Sequence, residues 1–283
     1  MKNNPFYPIV QYLNTNMLLD LLTLLEGGMP TLEITSLAAL EGGRGETKQT
    51  SPMPLLRVAL KEKASQKTPE TKTYTPASLL AVLRHLMNQK KLLGSQLAKA
   101  KVGDWVESPV TLVRNPLIEA LESRQTLTRM IVSPEENPVT PNATSAKTPN
   151  NSKVIQQVER ILDQLKNQGS YDLLGVPEEE KITLVLHLNT ALLPQGISPQ
   201  ATTAQMTGAR KILGKVLQVI PAGTEQTYSL MRKGSLGNVD VLLLQHIFRD
   251  FKKVEETFSG HLPDLITHLQ GPALSIIPLA ILA

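Results

Sequence analysis

IVQYLNTNMLLDLLTLLEGG, at residues 9–28, is the stretch around which the first part of the chain is organised. Its first five residues are rich in β-branched and aromatic side chains, which favours a strand within residues 6–13. Asn14 or Asn16 can cap a helix that follows, because an asparagine side chain accepts a hydrogen bond from a free N–H of the first turn. Leucines dominate this helix, so we expect it to be buried on most sides. Gly27 is expected to end it in the left-handed conformation.

Further along the chain, periodicity predicts both helices and strands. Helices are expected from Pro76, from Asn115 to about Leu127 and over residues 154–165, and residues 195–207 are expected to be irregular. Strands are expected at 182–188, 209–220 and 274–282, with two strand pieces, 102–107 and 110–113, on either side of Pro109.

These elements predict an α+β protein made of two mixed halves that pack together. Residues 133–152 hold four prolines and four asparagines and few apolar residues, which is typical of a polar linker or a long surface loop. The predicted halves are therefore residues 1–132 and residues 153–283. The first half carries 16 Lys and Arg against 11 Asp and Glu, whereas the second carries 12 of each.

The basic first half allows contact with nucleic acid, because lysine and arginine neutralise phosphate. An ordinary solvated surface is the alternative interpretation of the same charges. The candidate phosphate contacts are Arg57, Lys61, Lys63, Arg84, Lys90, Lys91, Lys99 and Lys101. Trp105 is the only tryptophan of the chain and is interpreted as a core residue, with a base-stacking platform as the alternative.

Composition excludes several classes of site. The chain has no cysteine, so it can form neither a disulfide nor a thiolate metal site. Neither a Walker loop, nor a dinucleotide-binding glycine motif, nor a nucleophile elbow occurs, so we expect no cofactor, and the sequence gives no positive evidence for an enzyme. The start of the chain lacks a signal peptide and no stretch is long enough to span a membrane, which predicts a cytoplasmic protein.

The five histidines do not show a metal-binding spacing. The one cluster worth testing is His261, Asp264 and His268, whose spacing of three and four would place them on one face if residues 262–270 were helical. An enzyme that uses these three residues is therefore one hypothesis, and a polar surface cluster is the alternative. Membrane action through the apolar residues 271–283 is a further hypothesis.

Several short motifs together resemble a family of uncharacterised bacterial proteins. They are the Tyr-Leu opening with its later Gly-Gly, the Val-Gly-Asp-Trp-Val-Glu and Asn-Pro-Leu elements at 102–107 and 115–117, Leu-Gly-Lys-Val at 213–216, and residues 271–281. Asn14 stands where the family has an acidic residue. The resemblance implies a bacterial cytoplasmic protein and brings no catalytic residue with it.

The leading functional hypothesis is a non-enzymatic intracellular interaction protein with a protein partner, such as an accessory or effector component of a bacterial stress or antiviral defence system. The alternative is a nucleic-acid-binding protein that uses the basic first half.

Overall fold

The described chain contains both helices and strands. The computed structural model describes residues 9–25, 75–132, 149–167, 169–193, 199–232, 249 and 262–283. Its α-helices are α1 (Thr15–Leu25), α2 (Pro76–Gln89), α3 (Pro116–Val132), α4 (Pro149–Asn167) and α5 (Pro199–Met206). Its strands are β1 (Val10–Leu13), β2 (Leu93–Gly94), β3 (Trp105–Arg114), β4 (Ser170–Val176), β5 (Thr183–Asn189), β6 (Gly208–Ile220), β7 (Thr227–Ser229), β8 (His268–Gln270) and β9 (Ala273–Leu282). The predicted α+β class is confirmed.

Five of these strands close into a barrel-like ring. The order around the ring is β3, β4, β5, β9 and β6, and β6 pairs again with β3. β5 and β9 run parallel, whereas the other four pairs are antiparallel. β1 pairs with the far end of β9, and β2 pairs with the start of β3. A ring of strands closes only when every strand pairs with a neighbour on both sides. Here the long strand β6 closes the ring, because it pairs with β9 on one side and with β3 on the other.

The interior of the ring is packed with aliphatic side chains. Gly175 lies within this packing, since a Cβ atom there would be in van der Waals contact with both Leu112 Cδ2 and Leu184 Cβ at 3.4 Å. β9 is apolar along almost its whole length because both of its faces are buried. Helices α3 and α4 pack against each other and belong to the same core as the ring. A second core joins α1 and α2 to Leu213 in the middle of β6 and to the last residues of β9.

The two predicted halves share one sheet. β3 precedes residues 133–148, and it pairs with β4 and β6, which follow them. β1 likewise pairs with β9 at the other end of the chain. α4 begins at Pro149, so the last four residues of the predicted linker are helical. The boundaries of the halves themselves stay a prediction.

The opening stretch folds as predicted in most respects. The Asn14 side chain accepts a hydrogen bond from Met17 N at 3.1 Å, which makes Asn14 the cap of α1. The helix is less buried than expected, because only Leu18 and Leu22 are fully buried and Leu24 is 74% exposed. The predicted stop at Gly27 lies outside the described residues.

Two other predictions are wrong. β3 is one continuous strand through Pro109, not two pieces, and Pro109 lies where β3 is paired by β6 alone, between the residues that pair with β2 and with β4. Residues 199–206, predicted to be irregular, form the short helix α5.

Among the helices of the described residues, none combines the length and the apolar character needed to cross a membrane.

Candidate functional site

A cleft of ≈ 430 Å³ opens beside the start of β3. Its walls are residues 91–96, which follow α2, together with Lys99, Ala100 and residues 104–106. We call it the aromatic cleft, because Trp105 is half-buried in its wall and is the only tryptophan of the chain. Lys91 and Lys99 are exposed at the same cleft.

The indole of Trp105 is held from two sides. It packs against the second core, and Lys215 Nζ on the neighbouring strand β6 lies 6.0 Å from its ring centroid, within the range of a cation–π contact. Trp105 and Lys215 are direct partners across the β3–β6 ladder, so their side chains lie on the same face of the sheet. Trp105 is also among the residues that line the aromatic cleft.

The walls of the aromatic cleft are fixed by backbone contacts. Leu93 pairs with Trp105 in the short parallel ladder of β2 and β3. The Glu180 carboxylate accepts hydrogen bonds from Leu97 N at 3.1 Å and from Ala98 N at 2.7 Å, which anchors the short 3-10 helix that carries Lys99. Asp104 Oδ2 accepts a hydrogen bond from Lys101 N at 2.8 Å and closes the turn before β3.

The structure separates the predicted phosphate contacts into groups. Lys91 and Lys99 line the aromatic cleft and Lys101 is exposed nearby in the chain. Arg84 is paired with Glu107 at 2.5 Å, and Lys90 donates to the Leu25 carbonyl at 2.5 Å. Arg57, Lys61 and Lys63 lie outside the described residues.

The predicted cluster at the end of the chain does not lie on a helix. Residues 262–267 have no regular structure and His268 begins β8, so the helical spacing on which the cluster depended is wrong. Asp264 and His268 are exposed, and the His268 ring Nδ1 lies 3.0 Å from Thr267 Oγ1. His261 lies outside the described residues. Within the described part of the chain, no three His, Asp or Glu residues are grouped so that they could hold a metal ion.

A buried polar network lies on the outer face of the ring, where β4, β5 and β9 are neighbours. Asp172 and His187 are direct partners in the β4–β5 ladder, and Ser275 pairs with the residue two before His187. His187 Nδ1 donates to Asp172 Oδ1 at 2.6 Å, which leaves Nε2 to accept from the Ser275 hydroxyl at 2.7 Å. Asp172 is fully buried, Ser275 is 1% exposed, and the His187 side chain is 10% exposed.

Tyr228 and Arg232 cover this network. The Tyr228 hydroxyl lies 3.0 Å from His187 Nε2, and its ring is stacked on the imidazole with centroids 6.1 Å apart. The Arg232 guanidinium lies 4.7 Å from the Tyr228 ring centroid, with Nη2 2.7 Å from His187 Nε2. Burial, followed by the charge of Asp172, raises the pKa of Tyr228 well above its ordinary value, so its phenol keeps its proton at neutral pH.

No sequence pattern predicts this network. His187 was one of five histidines without a metal-binding pattern, and Asp172 lies on β4, a strand that was not predicted. Asp172, His187 and Ser275 are 15 and 88 residues apart along the chain, and only strand pairing brings them together.

The fold and these two sites define an α+β protein with a barrel-like sheet, an open aromatic cleft and a covered polar network. The chain belongs to the family of the domain of unknown function DUF6414, whose model matches residues 7–282. This confirms membership of an uncharacterised family, while a bacterial origin stays a prediction. No curated protein and no solved structure matches the chain.

Proposed function

We propose that this protein binds single-stranded nucleic acid, with the aromatic cleft as the place where a base stacks. The observation that carries the proposal is that Trp105, a half-buried residue, lines an open cleft that Lys91 and Lys99 also line. An aromatic face and flanking cations are what a base and its phosphate require, and every base offers a π-face for stacking.

The size and rigidity of the aromatic cleft support this proposal. Its ≈ 430 Å³ falls within the range of small-ligand sites, about 300–1,000 Å³, and suits a base with its phosphate better than a folded partner. The contacts of Leu93, Glu180 and Asp104 hold the walls in place, so little conformational entropy is lost on binding.

The topology of the ring is a second support. Counted along the chain, the third and fifth ring strands, β5 and β9, are parallel, the fourth and fifth are antiparallel, and α5 lies between the third and fourth. This arrangement resembles the OB-fold, a five-stranded barrel that binds oligonucleotides and oligosaccharides on the face of its second and third strands. Here Asp172 and Val185 on that face are fully buried, whereas the aromatic cleft beside the first strand is open. The likeness is an analogy of fold and carries no residue role.

The test is binding of a fluorescently labelled single strand of about 12 nucleotides, measured by anisotropy at several salt concentrations. Trp105→Leu should lower affinity about 5- to 150-fold, because a stacked base contributes roughly 1–3 kcal/mol. Exchange of Lys91 and Lys99 for glutamine should reduce the salt dependence, with a slope about 1.4 smaller for two lost contacts to a single strand.

The matched control is Arg129→Gln on α3. It removes one positive charge, as each single lysine exchange does, but Arg129 pairs with Glu159 on α4 and does not line the aromatic cleft. Its affinity and salt slope should stay close to those of the wild type. Equal losses in Arg129→Gln and in the lysine variants would mean that only net charge matters, and would remove the aromatic cleft from the proposal.

A protein partner, a cytoplasmic location and a role in a stress or antiviral system remain predictions, because no contact in the described residues favours one partner over another.

A further inference from the structure

We propose that Ser275 is a nucleophile activated by His187 and Asp172, in a second site that cleaves carboxylic esters. This inference does not depend on the aromatic cleft or on nucleic-acid binding. It rests on the order of contacts in the polar network: a hydroxyl, a ring nitrogen that can accept its proton, and a carboxyl group on the opposite ring nitrogen. That order of contacts defines a nucleophile, a general base and an orienting acid, whatever the fold that presents them.

The distances suit the first chemical step. With Nδ1–H donated to Asp172 at 2.6 Å, the imidazole is fixed in the tautomer whose Nε2 accepts from Ser275 at 2.7 Å. Ser275 Oγ forms a bond to the ester carbonyl carbon while its proton passes to His187 Nε2. The carbon–oxygen bond to the alcohol then breaks and the alcohol takes that proton. A water molecule then attacks the carbonyl carbon of the ester formed on Ser275 and gives a proton to His187 Nε2. The bond between that carbon and Ser275 Oγ breaks, Ser275 takes the proton, and the carboxylic acid leaves.

Tyr228 supplies a donor for the negative charge that develops on the carbonyl oxygen. Its hydroxyl lies 3.0 Å from His187 Nε2, the nitrogen that accepts from Ser275, so it is next to the reacting atoms. Burial raises its pKa, so it stays a phenol that can donate. Tyrosine hydroxyls are among the donors that stabilise such oxyanions.

The backbone at Ser275 is irregular where it faces β6. Ile276 pairs with Val216 and Ser275 pairs with Gln218, so Leu217 is an extra residue in the ladder. Bulges of this kind change the direction of nearby side chains and are frequent beside active sites. Ser275 therefore lies at a break in the regular pairing of β6 with β9.

The site is closed in this structure. Arg232 is exposed, and its Nη2 lies 2.8 Å from Nδ1 and 2.7 Å from Nε2 of His187, so its side chain covers the imidazole. It follows β7, which among the described strands pairs only with β8, in a two-stranded sheet outside the ring. Because the Arg232 side chain is exposed, it can turn away into solvent while Tyr228, which is buried in the core of the ring, stays beside Ser275. We expect Arg232→Ala to uncover the nucleophile.

The experiment is labelling of the full chain with a fluorophosphonate–biotin probe, followed by mass spectrometry of the intact protein and of its peptides. We expect one adduct, on Ser275, formed faster in Arg232→Ala than in the wild type. Ser275→Ala should not be labelled. Ser123→Ala is the control, because Ser123 Oγ donates to the Glu119 carbonyl and contacts no histidine.

The role of the base is tested with His187→Gln and Asp172→Asn, whose folding is checked by circular dichroism. Loss of the base should slow labelling by at least about 100-fold. No adduct on Ser275 in either the wild type or Arg232→Ala would overturn the proposal, whether or not the His187 and Asp172 variants fold. Folded His187→Gln labelled as fast as the wild type would overturn it as well.

Discussion

Closure of the ring depends on Gly214, and exchange for alanine tests that closure. Gly214 lies on β6 at a shift of register opposite Pro278 of β9. A Cβ atom there would lie 2.5 Å from Ile276 Cγ2, 2.8 Å from the Ile277 carbonyl oxygen and 3.2 Å from Pro278 Cα. The Ile276 methyl can rotate away, but the two backbone atoms can move only if β9 separates from β6.

The cost follows from this geometry. Overpacking of a core costs about 1–3 kcal/mol, and backbone obstacles favour the upper half of that range. In the opposite direction, alanine in place of glycine stabilises the folded state by about 0.4–1 kcal/mol, because it lowers the conformational entropy of the unfolded chain. Gly214→Ala should therefore lose roughly 1–2 kcal/mol, which corresponds to a melting temperature lower by roughly 2–8 °C. Urea unfolding followed by circular dichroism measures the free energy directly.

Gly94→Ala is the matched control. Gly94 also lies in a strand, but the nearest atom to its added Cβ is Trp105 O at 3.5 Å, an ordinary contact. This variant should be as stable as the wild type or slightly more stable. If Gly214→Ala unfolds at the same urea concentration as Gly94→Ala, β6 and β9 are not packed as closely as the ring requires.

Two further predictions concern the helices beside the ring. Asn115 is 1% exposed and its Oδ1 accepts a hydrogen bond from Leu117 N at 3.0 Å. Asn115→Ala should therefore lower the free energy of unfolding in urea by about 1 kcal/mol, whereas Asn115→Ser should retain part of the cap. Equal stability of the two variants would contradict the capping role. For Glu122, burial acts to raise the pKa, but hydrogen bonds from Lys166 and Arg114 outweigh it and lower the pKa. The stability that ionised Glu122 contributes is therefore complete above the ordinary carboxyl pKa and is lost as pH falls through the lowered pKa. Glu122→Gln should flatten the acid side of a plot of unfolding free energy against pH. An unchanged plot would refute this prediction.

Elements with strong local signals were predicted from the sequence. Thr75 and Pro76 start α2 as expected, with the Thr75 side chain accepting from Ser78 N, and β9 follows from its apolar composition. β4 was missed because its seven residues include Asp172 and Gly175, both of which are rare in strands, and tertiary packing overrides that preference. α5 was missed because its residues show no amphipathic pattern.

The sequence predicts residues of a candidate site only where those residues lie close together along the chain. Lys91, Lys99 and Trp105 come from neighbouring parts of the chain, and the sequence alone makes all three candidates for contact with nucleic acid. What the sequence could not show is that they line one cleft, because that depends on the parallel pairing of β2 with β3. The polar network could not be predicted from the sequence. Its Ser, His and Asp residues are far apart along the chain, and only the pairing of strands in the closed ring brings them into contact.

Trp105 allows the most direct test of nucleic-acid binding in the aromatic cleft. It is the only tryptophan, so the tryptophan emission of the wild-type protein reports on this one ring. A titration with unlabelled single-stranded oligonucleotide at low salt should quench that emission in a saturable way, since a base stacks on the indole, and the quenching should weaken steeply as salt is raised. Unchanged emission at oligonucleotide concentrations that saturate anisotropy binding would contradict the account, because the nucleic acid would then bind elsewhere.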